Sequence, residues 1–332
     1  MFGYFKARFV FCLTIALCSC HAAPAAPKTL ELVQTIDLKG PEGRLDHMAL
    51  DAKHDRLFVA NMANSSLDIV DLKAGKLSKQ ISDQKKIQGV AYAPDVNRIF
   101  VGNGEGVCNV FDGQDYKLLK AIKLDDADNV RYSPRNKLIY LAHAEKRLAV
   151  IDPDSHEIKA DIKLPGDPEA FTIEKGRPRI YLNCPSSREV VVIDTDKNEV
   201  IEHFPLKLAS NNYPIALDEA NHRLFCGCRK KAMIVVLDTE SGKEITGIDI
   251  PGDTDDVFYD AKHKRIYAAC GEGQLAVIAQ KDADRYETVE KVATGKLART
   301  GHFDPEAGRL YVIVPKQGDQ AAPVVRVYET RP

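Results

Sequence analysis

Four short stretches of this 332-residue chain set charged side chains immediately before apolar runs. Asp46-His47 lies in "GRLDHMALD", Asp255-Asp256 in "PGDTDDVFY", Arg299 in "KLARTGHFD" and Glu169 in "PGDPEAF". Carboxylates gathered around one imidazole and one guanidinium could hold a cation or polar groups, with Arg299 anchoring an anion and His47 making one hydrogen bond. With a divalent ion such as Ca²⁺ or Zn²⁺, the same residues could polarise a carbonyl and activate water. His47 or Asp256 would then serve as general base. The plainer alternative is that Arg299 neutralises clustered acids at a rim, as structural ion-pair networks commonly do. Each of these needs the four stretches to meet in space.

The spacing of an apolar-aromatic doublet says that they do. It recurs at Leu57-Phe58, Ile99-Phe100, Ile139-Tyr140, Ile180-Tyr181, Leu224-Phe225, Ile266-Tyr267 and Leu310-Tyr311, at intervals of 42, 40, 41, 44, 42 and 44 residues. Seven copies at this period predict a seven-bladed, all-β propeller with one four-stranded sheet per copy. Within a copy, short runs of Val, Ile, Leu and aromatics alternate with Gly, Asn, Asp and Pro clusters, as in "HMALDA", "RLFVAN", "SLDIVDL" and "KLSKQI". Third strands close on Asp71, Asp112, Asp152, Asp194 and Asp238, where a short carboxylate can cap the next turn. The last copy ends one strand short, while "LVQTIDL" near the N-terminus matches the fourth strands "LLKAIKL" and "IKADIKL". The N-terminal strand should therefore complete the seventh blade and remove an exposed edge.

Counting back ten and eleven residues from the doublets reaches the start of each innermost strand. That places Asp46-His47, Asp255-Asp256 and Arg299-Thr300 around one mouth of the central channel, with Glu169 at the same level. Asp128-Asn129, Gln88-Gly89 and Tyr213-Pro214 fill the remaining positions.

The second strands read "FVAN", "FVGN", "YLAH", "YLNC", "FCGC", "YAAC" and "YVIV". These look like degraded Tyr-Val-Thr-Asn repeats, and the chain from residue 31 to 332 resembles the YVTN/YncE-like bacterial propellers. "GRLDHMALD" and "ARTGHFDPEAGRLYVIVP" resemble an exported branch of that family. The resemblance implies fold and export; it settles no activity, because propellers carry many unrelated ones.

The first 20 residues read as a targeting segment, with Lys6 and Arg8 before the apolar run "FVFCLTIALC". That run is shorter than the ~20 residues a spanning helix needs. "LCSC" at 17–20 fits a lipoprotein signal with Cys20 acylated, against ordinary cleavage after one of the alanines at 22–26. Residues 21–30 read as a linker. The expected location is periplasmic or otherwise extracytoplasmic, with membrane contact only through such an anchor.

Five cysteines follow Cys20, an odd number that argues against a full disulfide framework. His143, Cys184, Cys228 and Cys270 share one second-strand position, but neighbouring blades place such positions roughly 10 Å apart. That is too far for one zinc, whose sulfur bonds are ~2.3 Å. Cys226 and Cys228 share a strand face and make a poor disulfide pair, so buried thiols are expected. His54, His222 and His263 fall in turns, and Lys146-Arg147, Arg188 and "CRKKAM" at hairpin tips form a modest basic sector. A net charge of −2 supplies no basic field for nucleic acid, no aromatic platform accompanies the basic sector, and the absence of Trp weighs against propellers held together by tryptophan docking or Trp-Asp dipeptides. No haem attachment, nucleophile elbow or zinc helix is present.

The reading is a monomeric, exported propeller that binds a small molecule or protein ligand at the mouth, with Asp46, His47, Glu169, Asp255, Asp256 and Arg299 as its site. No resident cofactor is named by the sequence, and a divalent cation is the candidate. A metal-dependent lactonase-type hydrolase using the same mouth is the alternative. A redox protein with a noncovalent cofactor is third.

Overall fold

Seven four-stranded antiparallel sheets form the computed structural model, which describes residues 1–4 and 28–332. Residues 5–20 of the targeting segment, Cys20 included, lie outside the described residues. Each sheet runs in sequence order from an innermost strand outward: Met48–Asp51, Arg56–Asn61, Ser66–Asp71 and Lys76–Ile81 make the first blade. The seventh is completed out of order. Leu30–Asp37 pairs antiparallel with Val324–Thr330 and supplies the strand missing at the C-terminus. Ile36 on that strand is fully buried with Leu57 and Val70 of blade one and Val325 of blade seven, so the closing strand carries core as well as hydrogen bonds.

The two middle strands of a blade are covered on both faces by neighbouring blades, which explains their continuous apolar runs. Outermost strands meet solvent on one side and alternate instead; Tyr286–Ala293 is half-buried at every other residue. The doublet aromatics Phe58, Phe100, Tyr140, Tyr181, Phe225 and Tyr267 are among the largest fully buried side chains and fill the inter-blade cores. The tyrosines reach polar partners in their own turns. Tyr140 accepts from Asn136 (2.7 Å), and Tyr267 donates to Asp260 (3.0 Å).

The five third-strand aspartates do cap their turns: Asp71, Asp112, Asp152, Asp194 and Asp238 each accept backbone N–H bonds from residues two or three further on. The turn histidines divide. His54 and His222 are half-exposed, but the His263 side chain is only 14% exposed and bonds Asp260 at 2.7 Å. Expected as solvated, it is instead part of a buried turn cap. All five described cysteines are free and buried, and His143 pairs with Asp161 on its own blade (3.0 Å). Among the described residues no helix is long and apolar enough to cross a membrane.

Candidate functional site at the channel mouth

One backbone frame positions the mouth residues. The amides of Asp46, Asp128 and Glu169 donate to Ala60, Ala142 and Asn183 at 2.8, 3.0 and 2.9 Å, and these three acceptors occupy equivalent positions on their second strands. The amides of Ala60, Ala142, Asn183 and Ile313 donate in turn to the carbonyls of His47, Asn129, Ala170 and Thr300. Blade six reaches the same register through a bulge, with Asp256 opposite Ala269. Asp46, Gln88, Asp128, Glu169, Tyr213, Asp255 and Arg299 therefore form one belt, and four of the seven are acids. Gly89 permits its closure between blades two and three, since a Cβ there would stand 1.7 Å from the carbonyl oxygen of Asp128.

Two arginines clamp blade six. Arg299 donates to both oxygens of Asp253 (2.7 and 2.9 Å) and lies 3.0 Å from Asp255 Oδ2. Arg229, from the hairpin of blade five, bonds Asp255 and the carbonyl of Thr254 while its guanidinium stacks 4.0 Å from the centre of the Tyr213 ring. Arg299 is thus engaged by carboxylates, which favours its neutralising role over anchorage of an anion.

Asp46 is different. It is fully buried, and neither oxygen has an aligned donor, although Arg44 places a nitrogen 2.7 Å from Oδ2 off the hydrogen-bond line. Burial, reinforced by Asp128 and Asp255 and opposed by His47 and Arg44, pushes its carboxyl up to about 7. Burial followed by the charges of Asp128 and Asp255 takes Glu169 up to about 8. Burial also raises Asp128, whose Oδ1 is buried without a partner.

His47 and Asp256 form the next level inward. Asp256 Oδ2 accepts from the amide of Gly301 (2.9 Å) and lies 3.5 Å from His47 Nδ1. Burial works against the imidazolium, but Asp256 and then Asp46 outweigh it and hold His47 up to about 10. An imidazole whose charge is favoured by two carboxylates is a weak acceptor at neutral pH, and Asp256 Oδ2 is engaged by His47 and Gly301. Among the described residues no three His, Cys, Asp or Glu side chains converge as a set of metal ligands.

All six residues chosen from the sequence thus stand at the mouth or one level below it. Counting back from the doublet also finds Asp128, the counterpart of Asp46, which deserved the same weight. Arg44 and Asp253 sit in loops that no count reaches, and Arg229 enters from a neighbouring blade as part of a hairpin read as a basic tip. Beyond His47 and Asp256 the channel widens into a cavity of about 730 Å³ opening on the opposite face.

No family model matches the chain. A stretch of 90 residues, 27% of the chain, is 26% identical to THO complex subunit 3 of Arabidopsis thaliana and spans 29% of that protein's length. A chain of the Kuenenia stuttgartiensis hydrazine synthase structure superposes with a TM-score of 0.72 over 83% of this chain and 94% of that one, at 18% identity. At such identity the likeness is one of fold alone. The chain is a seven-bladed propeller.

Proposed function

We propose that this protein is an exported, YVTN/YncE-like binding propeller whose mouth belt holds the cationic group of a small ligand, an organic amine. The observation that carries the reading is the Asp46 carboxylate, fully buried with no aligned hydrogen bond to either oxygen, its nearest cations being Arg44 (2.7 Å) and His47 (3.8 Å). Burial of that carboxylate carries a desolvation cost that the two cations offset only in part, and a proton or a bound cation relieves the rest. Asp128 and Asp255 raise that cost by like-charge repulsion, and act on Glu169 in the same way. An ammonium, with three N–H donors, can satisfy several carboxylates without the close convergence that a metal ion demands.

Calorimetric titration of the full chain with 1,4-diaminobutane at pH 7 tests this. Wild type should bind, and the double variant Asp128→Asn, Glu169→Gln should lose at least tenfold in affinity, because charge-assisted hydrogen bonds contribute about 1.5–3 kcal/mol each. No binding to wild type, or equal binding to the variant, would overturn the reading.

A hydrolytic role finds support in Asp46 and Glu169, whose carboxyls titrate near neutrality where general acid-base catalysis works best. Turnover of a simple γ-lactone by wild type, lost in Glu169→Gln with the fold intact, would favour it over binding alone.

A further inference from the structure

The cavity on the far side of His47 and Asp256 is a second site with the opposite electrostatic character. Its walls are the inner strands of all seven blades from their midpoints outward. Seven residues before each doublet stand Leu50, Tyr92, Tyr132, Ile173, Leu217, Tyr259 and Phe303, an apolar and largely aromatic ring, with Phe171 and Phe258 between them and the belt. At about 730 Å³ the space falls within the range of small-molecule pockets, roughly 300–1,000 Å³.

Its inner end carries Arg131. The equivalent positions of blades one, two and five hold Ala49, Ala91 and Ala216, each opposite the doublet aromatic, so a guanidinium here replaces a methyl group. Arg131 makes no ion pair among the described residues. Its nitrogens donate to the carbonyl of Val130 (2.9 Å) and Oδ1 of Asn129 (3.4 Å), and its carbon lies 5.9 Å from the centre of the Phe171 ring. A guanidinium carries five N–H donors, and only these two hydrogen bonds engage it among the described residues, although it lines the cavity.

Asp256 and Asp128 act on that cation at a distance, and neither forms an ion pair with it, so its charge is only partly compensated. Asp256 is engaged by His47 and Gly301, and Asp51 by Arg56 and His54. His302, on the blade-seven strand at the level of Arg131, is kept neutral near neutral pH by burial and by the Arg131 charge, which hold it down at about 4. Lys53 and Lys175, exposed at the outer rim, make no ion pairs among the described residues. The lining thus carries Arg131, His47⁺, Lys53 and Lys175 against two carboxylates, in a chain whose net charge is −2.

We infer that this cavity binds a small organic acid, a flat apolar body bearing one carboxylate, which enters from the face opposite the belt, stacks among the aromatic residues and ends on Arg131. The carboxylate takes the unused N–H donors of Arg131, where a bidentate pair is both strong and orienting. The apolar body displaces water from the aromatic ring.

Three isosteric probes separate the contributions by calorimetry on the full chain at pH 7: 2-naphthoate, 2-naphthylmethanol and 2-naphthylmethylammonium. Wild type should bind naphthoate at least about tenfold more tightly than the neutral alcohol, and the ammonium most weakly. Arg131→Met should abolish the preference for the acid while leaving the alcohol unchanged, whereas Phe258→Ala should weaken acid and alcohol alike. Equal affinity of wild type for acid and alcohol, no binding of either, or an unchanged preference in Arg131→Met would each overturn the inference. The acid-alcohol comparison on wild type stands even if a variant fails to fold.

Discussion

Replacing Asp46 by Asn removes an unfavourably buried charge, and the consequence depends on pH in a calculable way. Below about pH 4 the carboxyl is protonated in folded and unfolded chains alike and contributes no difference. Between about 4 and 7 the unfolded chain releases its proton while the folded chain keeps it, so stability falls as pH rises. Displacement from 3.8 to about 7 corresponds to about 4 kcal/mol once both states are ionised, at about 1.4 kcal/mol per pH unit. Asn abolishes this titration but removes the charge paired with Arg44 and His47 and leaves a buried amide in its place, a cost of about 1–3 kcal/mol that varies little between pH 5 and pH 8. Relative to wild type, Asp46→Asn should therefore gain about 3 kcal/mol between pH 5 and pH 8, ending more stable at the higher pH. For a domain of about 300 residues that is a relative rise in Tm of about 4 °C. Urea unfolding followed by far-UV circular dichroism at both pH values measures it; the chain has no Trp to report by fluorescence. An Asp46→Asn difference that is the same at pH 5 and pH 8 would refute the argument, because it would mean that the carboxyl titrates normally in the fold.

Other consequences follow from the same structure. His47→Gln should destabilise by a few kcal/mol at pH 6, where the imidazolium is paired, and the difference should fade toward pH 10, since a raised histidine pKa gives stability that is lost as pH rises through it. A pH-independent effect would contradict the assigned charge. Ile36→Ala, which opens a cavity where the closing strand meets blades seven and one, should cost about 2–4 kcal/mol in urea unfolding; a loss below about 0.5 kcal/mol would mean the strand is dispensable to the ring. With Cys12→Ser, Cys18→Ser and Cys20→Ser in place, the remaining thiols should resist Ellman's reagent in the native protein and react together on unfolding, because burial raises Cys108, Cys184, Cys228 and Cys270 to about 12. Rapid native labelling of any one would place it in solvent.

The architecture was legible because a ring of identical blades writes its period into the chain. The doublet Ile180-Tyr181 has to face the same inter-blade space as Ile139-Tyr140, and the aspartates that end third strands cap the same turn each time. Level along the channel was legible for the same reason, and counting from the doublet brings Asp46, Glu169, Asp255 and Arg299 to one belt. What the period does not encode is which neighbour a side chain meets. Arg229 leaves its own blade to bond Asp255, and Arg299 turns to Asp253 rather than toward the axis. His263 looked like a solvated turn residue because burial depends on the packing of adjacent turns. Arg131 did leave a trace, as a charged residue where three other blades carry alanine, but a signal of that kind is visible only after the blades have been aligned on one another.

The claim that the mouth belt is a cation site rests on carboxyls that stay protonated to unusual pH until a cation replaces the proton. Carboxyl-¹³C NMR titration of Asp46, Asp128 and Glu169, with and without 1,4-diaminobutane, observes this directly. The account predicts that Asp46 and Glu169 titrate near 7 and 8 in the free protein and that saturating diamine moves both downward. Ordinary titration of both near 4, with no response to the diamine, would contradict it.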